Sequence, residues 1–268
     1  MGNLKHLDSL NKSQKEAVLH ISGPLLIVAG AGSGKTKVLT SRIAHILNEN
    51  KAFPNQILSV TFTNKAAREM QNRVSKIFNN KVVGLPWLGT FHSICAKILR
   101  RHSNAVNLNQ NFTIIDQDDQ LRLIKTICNA ENIDIKKISP NFVISLINKW
   151  KNFGWYPDDV VLKKGENLEK NLLKIYKIYQ SKLTNLNACD FGDLILHCVS
   201  IFEKNIDINE MYSKNFRYIL VDEYQDTNFI QSKWLKLLTK NHNNICCVGD
   251  DLSLIHISEP TRQAEISY

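Results

Sequence analysis

The segment AGAGSGKT, Ala29 to Thr36, constrains this 268-residue chain more than any other. It follows the apolar run PLLIVAG (24–30) and precedes the helical run VLTSRIAHIL. That order of strand, glycine-rich turn and helix fits a phosphate-binding loop, with Ala29 standing where the first glycine is usual. Gly30, Gly32 and Gly34, with Ala31 and Ser33 between them, let backbone N–H groups converge on phosphate oxygens, and the positive end of the following helix adds to the attraction. Lys35 is expected to reach the β and γ phosphates and the Thr36 hydroxyl to hold Mg²⁺.

A phosphate loop by itself implies only that a nucleoside triphosphate binds, so a second, acidic site on another strand is the next thing the chemistry requires. The run YILVDEYQDTN (218–228) supplies it: an apolar strand delivers Asp222 and Glu223 at its carboxyl end, the end at which parallel sheets bind ligands. Asp222 suits support of Mg²⁺, and Glu223 is placed to orient or deprotonate an attacking water. Alone, two adjacent carboxylates there could equally cap a turn. Beside a phosphate loop they point to hydrolysis of a nucleoside triphosphate.

Four apolar runs, 24–30, 57–63, 216–222 and 244–250, are each bounded by glycine or polar residues. Helical stretches lie at about 35–49, 64–78, 91–102 and 228–240. This alternation predicts an α/β fold with a parallel sheet covered by helices. Between the two pairs of runs, from Gln117 to about Phe202, apolar residues recur at three and four spacing, as in Leu168, Leu172, Tyr176, Tyr179 and Leu183. That stretch predicts a helical insertion, with turns at WYPDD (155–159) and KKGEN (163–167). Hydrophobic residues make up 43% of the chain, enough to fill real cores. No apolar run reaches membrane-spanning length and the first residues lack the apolar core of a secretory signal, so a cytoplasmic location is expected. The six cysteines form no CxxC pair and are expected to be reduced core residues. The formal charge of +9 favours polyanionic partners. Between Lys136 and Lys182, ten lysines stand against four acidic residues.

Taken together, AGAGSGKT and DEYQDTN resemble motifs I and II of the superfamily 1 DNA helicases related to UvrD, PcrA and Rep. LNKSQKEAV (10–18) resembles their Q motif, whose glutamine, here Gln14, recognises adenine. VTFTNKAAREM (60–70) and GTFHSICAKILRR (89–101) resemble motifs Ia and Ib, which line the single-stranded DNA path. DFGDLI (190–195) resembles the short acidic motif preceding the return to the sheet, and VGDD (248–251) the opening of motif III. The likeness spans about residues 8–251. It implies a RecA-like P-loop NTPase domain with a helical insertion: subdomain 1A over 1–116 and 206–251, and subdomain 1B, which lies over duplex DNA, over 117–205.

The resemblance further implies a motor using ATP and Mg²⁺, moving 3′ to 5′ on single-stranded DNA and at single-strand/double-strand junctions, in repair or replication restart. Phe62 and Phe91 can offer stacking faces to bases, while Thr63, Asn64, Thr90 and His92 offer hydrogen bonds to the DNA backbone. Trp87 and Trp150 are expected to be buried. Two other readings stay open: a non-catalytic, ATP-gated single-strand-binding module, and the helicase part of an AddA- or RecB-like nuclease-helicase. The chain departs from the family pattern at Lys37, where Arg commonly packs on the adenine, and over residues 252–268, which match nothing in that pattern and read as foreign sequence. The second motor domain, with the arginines that close over the γ phosphate, is not in this sequence. The isolated chain is therefore expected to bind ATP far better than it hydrolyses it.

Overall fold

A computed structural model of the chain describes residues 5–30, 32–78, 84–133, 138–161 and 167–250. Ala31, the KKGEN turn up to Glu166, Lys136, Lys137, Asp251 and the tail 252–268 lie outside the described residues.

The elements in chain order are α1 (Lys5–Asp8), α2 (Lys12–Leu19), β1 (Leu25–Val28), α3 (Lys35–Asn48), β2 (Ile57–Thr61), α4 (Asn64–Ile77), β3 (Leu88–Thr90), α5 (Phe91–Arg101) and β4 (Thr113–Ile114). They continue with α6 (Gln117–Ala130), α7 (Pro140–Asn152), α8 (Asn167–Asn185), β5 (Ala188–Cys189), α9 (Phe191–Lys204), α10 (Ile206–Asn215), β6 (Tyr218–Val221), α11 (Phe229–Leu238) and β7 (Ile245–Gly249). All four apolar runs form strands, and the helices fall where the periodicity places them. No helix among the described residues is long and apolar enough to cross a membrane.

By its internal contacts the chain divides into two units, residues 1–90, 213–227 and 239–268 forming one, and residues 91–212 and 228–238 the other. These limits differ from the 117 and 205 boundaries read from the sequence. The reason is packing: α5 and α11 both pack on α9, so they group with the middle helices.

The first unit is built on a five-stranded parallel sheet in the order β1-β7-β6-β2-β3. The inner strands β2 and β6 are buried along their whole length, which is why they read as unbroken apolar runs. Helices α3 and α4 bury Leu39, Ile43, Ile46, Met70 and Val74 against Ile57, Leu220, Cys246 and Val248. Each such side chain contributes about 1.5–3 kcal/mol of hydrophobic stabilisation. Arg42, only 1% exposed, joins α3 to the α2 region by donating to the carbonyls of Ala17 (2.7 Å) and Ile21 (3.3 Å). Strand β3 was not legible in the sequence, because Leu-Gly-Thr presents no apolar run.

In the second unit, Ile124, Ile127, Val143, Ile147, Leu172, Tyr176, Tyr179 and Leu183 form the core of α6, α7 and α8. A two-residue parallel pair, β4 with β5, interrupts the helices and was also not foreseen. Trp87 and Trp150 are buried as expected, Trp150 stacking on Tyr176 at 5.5 Å between ring centroids. All six cysteines are free and buried. Lys151, counted from the sequence with the basic stretch, does not face solvent. Its fully buried ammonium lies 2.6 Å from Asp190 and 2.7 Å from Asp193. Asp190 also accepts from Tyr179 and Gln120, and Asp193 from Gln180, each at 2.9 Å.

Candidate nucleotide site and single-strand contacts

Because the strands are parallel and β7 lies between β1 and β6, three strand ends open at one edge of the sheet. Val28 pairs with Gly249 and Val221 with Cys247. The glycine-rich loop leaves β1, Asp222 and Glu223 leave β6, and Asp250 leaves β7. The loop is pinned at its start by Ala29 N donating to Gly249 O at 3.0 Å. Gly32 and Gly34 have φ of +77° and +89°, a left-handed conformation that an L side chain would strain. Gly30 has no such φ, and a Cβ there would meet nothing within 4 Å, so neither conformation nor space in this structure demands a glycine at that position.

Gln14 is positioned by a reciprocal capping box at the start of α2: Gln14 N donates to Asn11 Oδ1 (2.9 Å) and Asn11 N to Gln14 Oε1 (3.1 Å). The side-chain amide of Gln14 then donates to Ser33 O at 2.9 Å, placing Gln14 directly on the loop. Lys37 donates from Nζ to Ser9 O at 2.5 Å. Its ammonium is thus engaged with the backbone ahead of α2.

Lys35 and Thr36 open α3, both half-buried. Lys35 Nζ bonds the Asp250 carboxylate and lies 3.7 Å from Glu223 Oε2. Burial acts to lower the Lys35 pKa, but the hydrogen bond to Asp250 and the charges of Glu223, Asp250 and Asp222 outweigh it and leave the ammonium above its ordinary value. Lys35 is therefore a firm cation. Asp222 is only 4% exposed, and its Oδ1 is buried without a hydrogen-bond partner among the described residues. Burial, and next the charge of Glu223, push its carboxyl up to about 6. An orphaned buried carboxylate oxygen is costly, and a divalent cation would relieve the cost. The donor set of Asp222 and the Thr36 hydroxyl fits the hard, oxygen-seeking Mg²⁺.

Glu223 adopts φ +50° and ψ +47°, a left-handed conformation unusual for a residue other than glycine. Its Oε2 accepts from the Gln225 side-chain amide at 2.6 Å, and Gln225 Oε1 accepts from Asp250 N at 3.1 Å. Sequence reasoning assigned no role to Gln225 or Asp250. The available signal was their place within DEYQD and at the end of the VGDD strand.

The residues expected to meet single-stranded DNA fall in both units. In the first, Phe62 is half-buried just past β2, and Thr63 caps α4, its Oγ1 accepting from Ala66 N at 3.1 Å. Asn64 is exposed, and Thr90, at the end of β3, is 8% exposed. In the second, Phe91 corrects the sequence reading. It is 1% exposed with its ring edge-on to Trp234 at 5.9 Å, so it packs in the core and has no face to offer a base. His92 is half-buried, and burial lowers its pKa, favouring the neutral imidazole. The His92 ring lies edge-on to Phe191 at 5.8 Å, and Phe191 is 52% exposed. Phe191 was not singled out in the sequence; its place directly after the cap of α9, inside DFGDLI, is the feature that marks it.

Residues 10–256 match the UvrD/REP helicase N-terminal domain family, a match that runs a few residues past the break read at Asp251. The chain is 48% identical over 254 residues to a probable DNA helicase II homolog of Rickettsia conorii, covering 94% of this chain and 38% of that protein. It is 48% identical over 255 residues to a DNA helicase II of Rickettsia typhi, again covering 94% and 38%. With an ATP-dependent DNA helicase PcrA of Staphylococcus aureus the identity is 45% over 244 residues, 91% of this chain and 33% of the relative. The chain thus spans little more than a third of the length of these relatives.

Proposed function

We propose, because the chain belongs to the UvrD/REP helicase family, that it is the ATP-binding part of a cytoplasmic DNA motor that moves 3′ to 5′ on single strands and opens single-strand/double-strand junctions in repair or replication restart. The observation that carries the reading is the meeting of Lys35, which follows β1, with Asp222 and Glu223, which follow β6, across the end of β7, with the Asp222 Oδ1 left without a hydrogen-bond partner among the described residues in a buried position.

In this reading the backbone of Ala29, Gly30 and Gly32 to Thr36 cradles the phosphates, and Lys35 neutralises charge that builds on them. Gln14 on the loop recognises the base, and Lys37 lies beside that subsite. Thr36 and Asp222 would hold Mg²⁺, which supplies charge neutralisation at the phosphate oxygens when bound. Glu223 takes a proton from the attacking water. Phe62, Thr63, Asn64, Thr90 and His92, with Phe191 added, contact the single strand through base stacking and backbone hydrogen bonds. In this reading the sheet is subdomain 1A and the helical middle is subdomain 1B.

The test is ATP turnover and ATP affinity measured side by side, in a polypeptide of the relatives' length carrying this chain. Lys35→Ala is expected to lose hydrolysis and weaken ATP binding. Glu223→Gln is expected to keep ATP affinity within a few-fold while turnover falls ~10²–10⁴-fold. Wild-type turnover in Glu223→Gln would remove that residue from the chemistry. DNA binding gated by ATP, with no turnover in the unmutated protein, would establish the non-catalytic binding module instead.

A further inference from the structure

We infer that Gln225 is a positioning residue that aims the Glu223 carboxylate by fastening it to the end of β7, and that Gly249 is the residue that makes room for it. The inference rests on the reading of Glu223 as the group that takes the proton from water.

Three observations converge. Gln225 donates from Nε2 to Glu223 Oε2 at 2.6 Å and accepts at Oε1 from Asp250 N at 3.1 Å, so one amide spans the ends of β6 and β7. A Cβ on Gly249 would stand 2.7 Å from Gln225 Oε1 and 3.4 Å from Gln225 N, closer to the former than real side chains come. Glu223 itself is held at φ +50° at the head of the 3₁₀ turn Tyr224–Asp226, which Asp226 N closes on Glu223 O at 3.0 Å. A left-handed carboxylate residue persists only where its surroundings over-determine it.

The chemistry of an amide explains the choice. Only a group that is donor and acceptor at once can hold a carboxylate on one side and a backbone N–H on the other. A carboxylate in its place would repel Glu223, and a cation would lose the bond to Asp250 N. Lys35 lies 3.7 Å from the same Oε2, so the bond to Gln225 fixes the carboxylate plane on the side facing the cation. Asp250 also bonds Lys35. Gln225 therefore ties the base to the strand whose next residue meets the phosphate-loop lysine, and a shift of the β7 end re-aims the base.

The test uses a polypeptide of the relatives' length carrying this chain, in excess over ATP, with single-turnover hydrolysis and ATP affinity measured for wild type, Gln225→Ala, Gly249→Ala, their combination, Gln225→Glu and Glu223→Gln. Gln225→Ala is expected to slow hydrolysis on the order of 10- to 100-fold, the scale of a misaimed catalytic group, with ATP affinity within threefold. Gly249→Ala is expected to behave alike, and the combination to be no worse than the poorer single variant, because both remove one linkage. Gln225→Glu should be slow at neutral pH and recover relative to wild type as pH falls, because a protonated carboxyl again donates to Glu223. A purely structural role would not give that inverted profile. Normal turnover in Gln225→Ala beside a dead Glu223→Gln would overturn this inference alone. Equal rates in wild type and Glu223→Gln would overturn the reading of Glu223, and Gln225 with it. If Gln225→Ala loses ATP affinity in step with rate, the residue acts in binding and positioning is refuted. If Gly249→Ala does not fold, the pH profile of Gln225→Glu decides.

Discussion

Asp222 is a carboxyl whose burial works against its own charge, and that conflict has a measurable sign. Its folded-state pKa of about 6 lies above the ordinary 3.8. Between those pH values the folded protein keeps a proton that the unfolded chain has released. This stability is fully present below pH 4 and is lost as pH rises through 6, a loss on the order of 3 kcal/mol. Urea unfolding at pH 4.5 and pH 7.5 should show the wild type losing about two thirds of this increment relative to Asp222→Asn, and millimolar Mg²⁺ should restore part of it at pH 7.5 in the wild type alone. Identical pH dependence in the two proteins would refute the burial argument. At this scale the sequence was most informative where phosphate chemistry demands fixed residue types in unbroken order, as at Gly32, Gly34, Lys35 and Thr36. It was least informative where a role arises between strands distant in the chain. The Gln225 link to Asp250 exists only because β6 and β7 are neighbours, and the burial of Phe91 against Trp234 follows from helix packing that no local pattern announces.

Strands β2, β6 and β7 were legible because a parallel sheet buries its inner strands and leaves unbroken apolar runs; β1 read as an apolar run as well, although Leu26 and Val28 are 54% and 46% exposed. The three residues of β3 and the two-residue pair β4–β5 were not legible, because so short a segment carries no period and is defined by its partner's backbone. The helices of the second unit were legible as a three-and-four pattern, but not their polar centre, where Lys151 of α7 meets Asp190 and Asp193 at the start of α9. Burial raises the Asp190 pKa, yet the Lys151 charge and the hydrogen bonds outweigh it and hold the carboxyl below its ordinary value. The stability this gives exists above the unfolded pKa and is lost as pH falls through the folded one. Lys151→Met strands a buried carboxylate and is expected to cost about 3–5 kcal/mol at pH 7.5. At pH 5 the cost should shrink, because the unpaired Asp190 can take up a proton. Adding Asp190→Asn and Asp193→Asn to Lys151→Met should recover much of the loss. A cost that is the same at both pH values in urea unfolding would count against an ion-pair origin and in favour of lost packing.

The formal charge of +9 pointed toward a polyanion without distinguishing field from contact. The structure separates some of the charges: Arg42 and Lys151 are buried and spent on internal bonds, whereas Lys65, Arg68 and Lys76 are exposed on α4, the helix that Thr63 caps. Phosphate neutralisation and base stacking respond differently to salt. The first releases counterions, so the logarithm of affinity falls with the logarithm of salt by ~0.7 per phosphate neutralised on a single strand. The second is nearly indifferent to salt and contributes about 1–3 kcal/mol per stacked base. With an oligothymidine probe titrated at several salt concentrations, Phe62→Ala is therefore expected to weaken binding ~5- to 100-fold at every salt while leaving the slope unchanged. Lys65→Gln with Arg68→Gln should do the reverse, flattening the slope by up to ~1.4 and losing its effect as salt rises. If Phe62→Ala alters the slope at constant high-salt affinity, the ring is not a stacking face. If neither Phe62→Ala nor the Lys65→Gln, Arg68→Gln double change affects binding, the positive field of the molecule is an ordinary solvated surface.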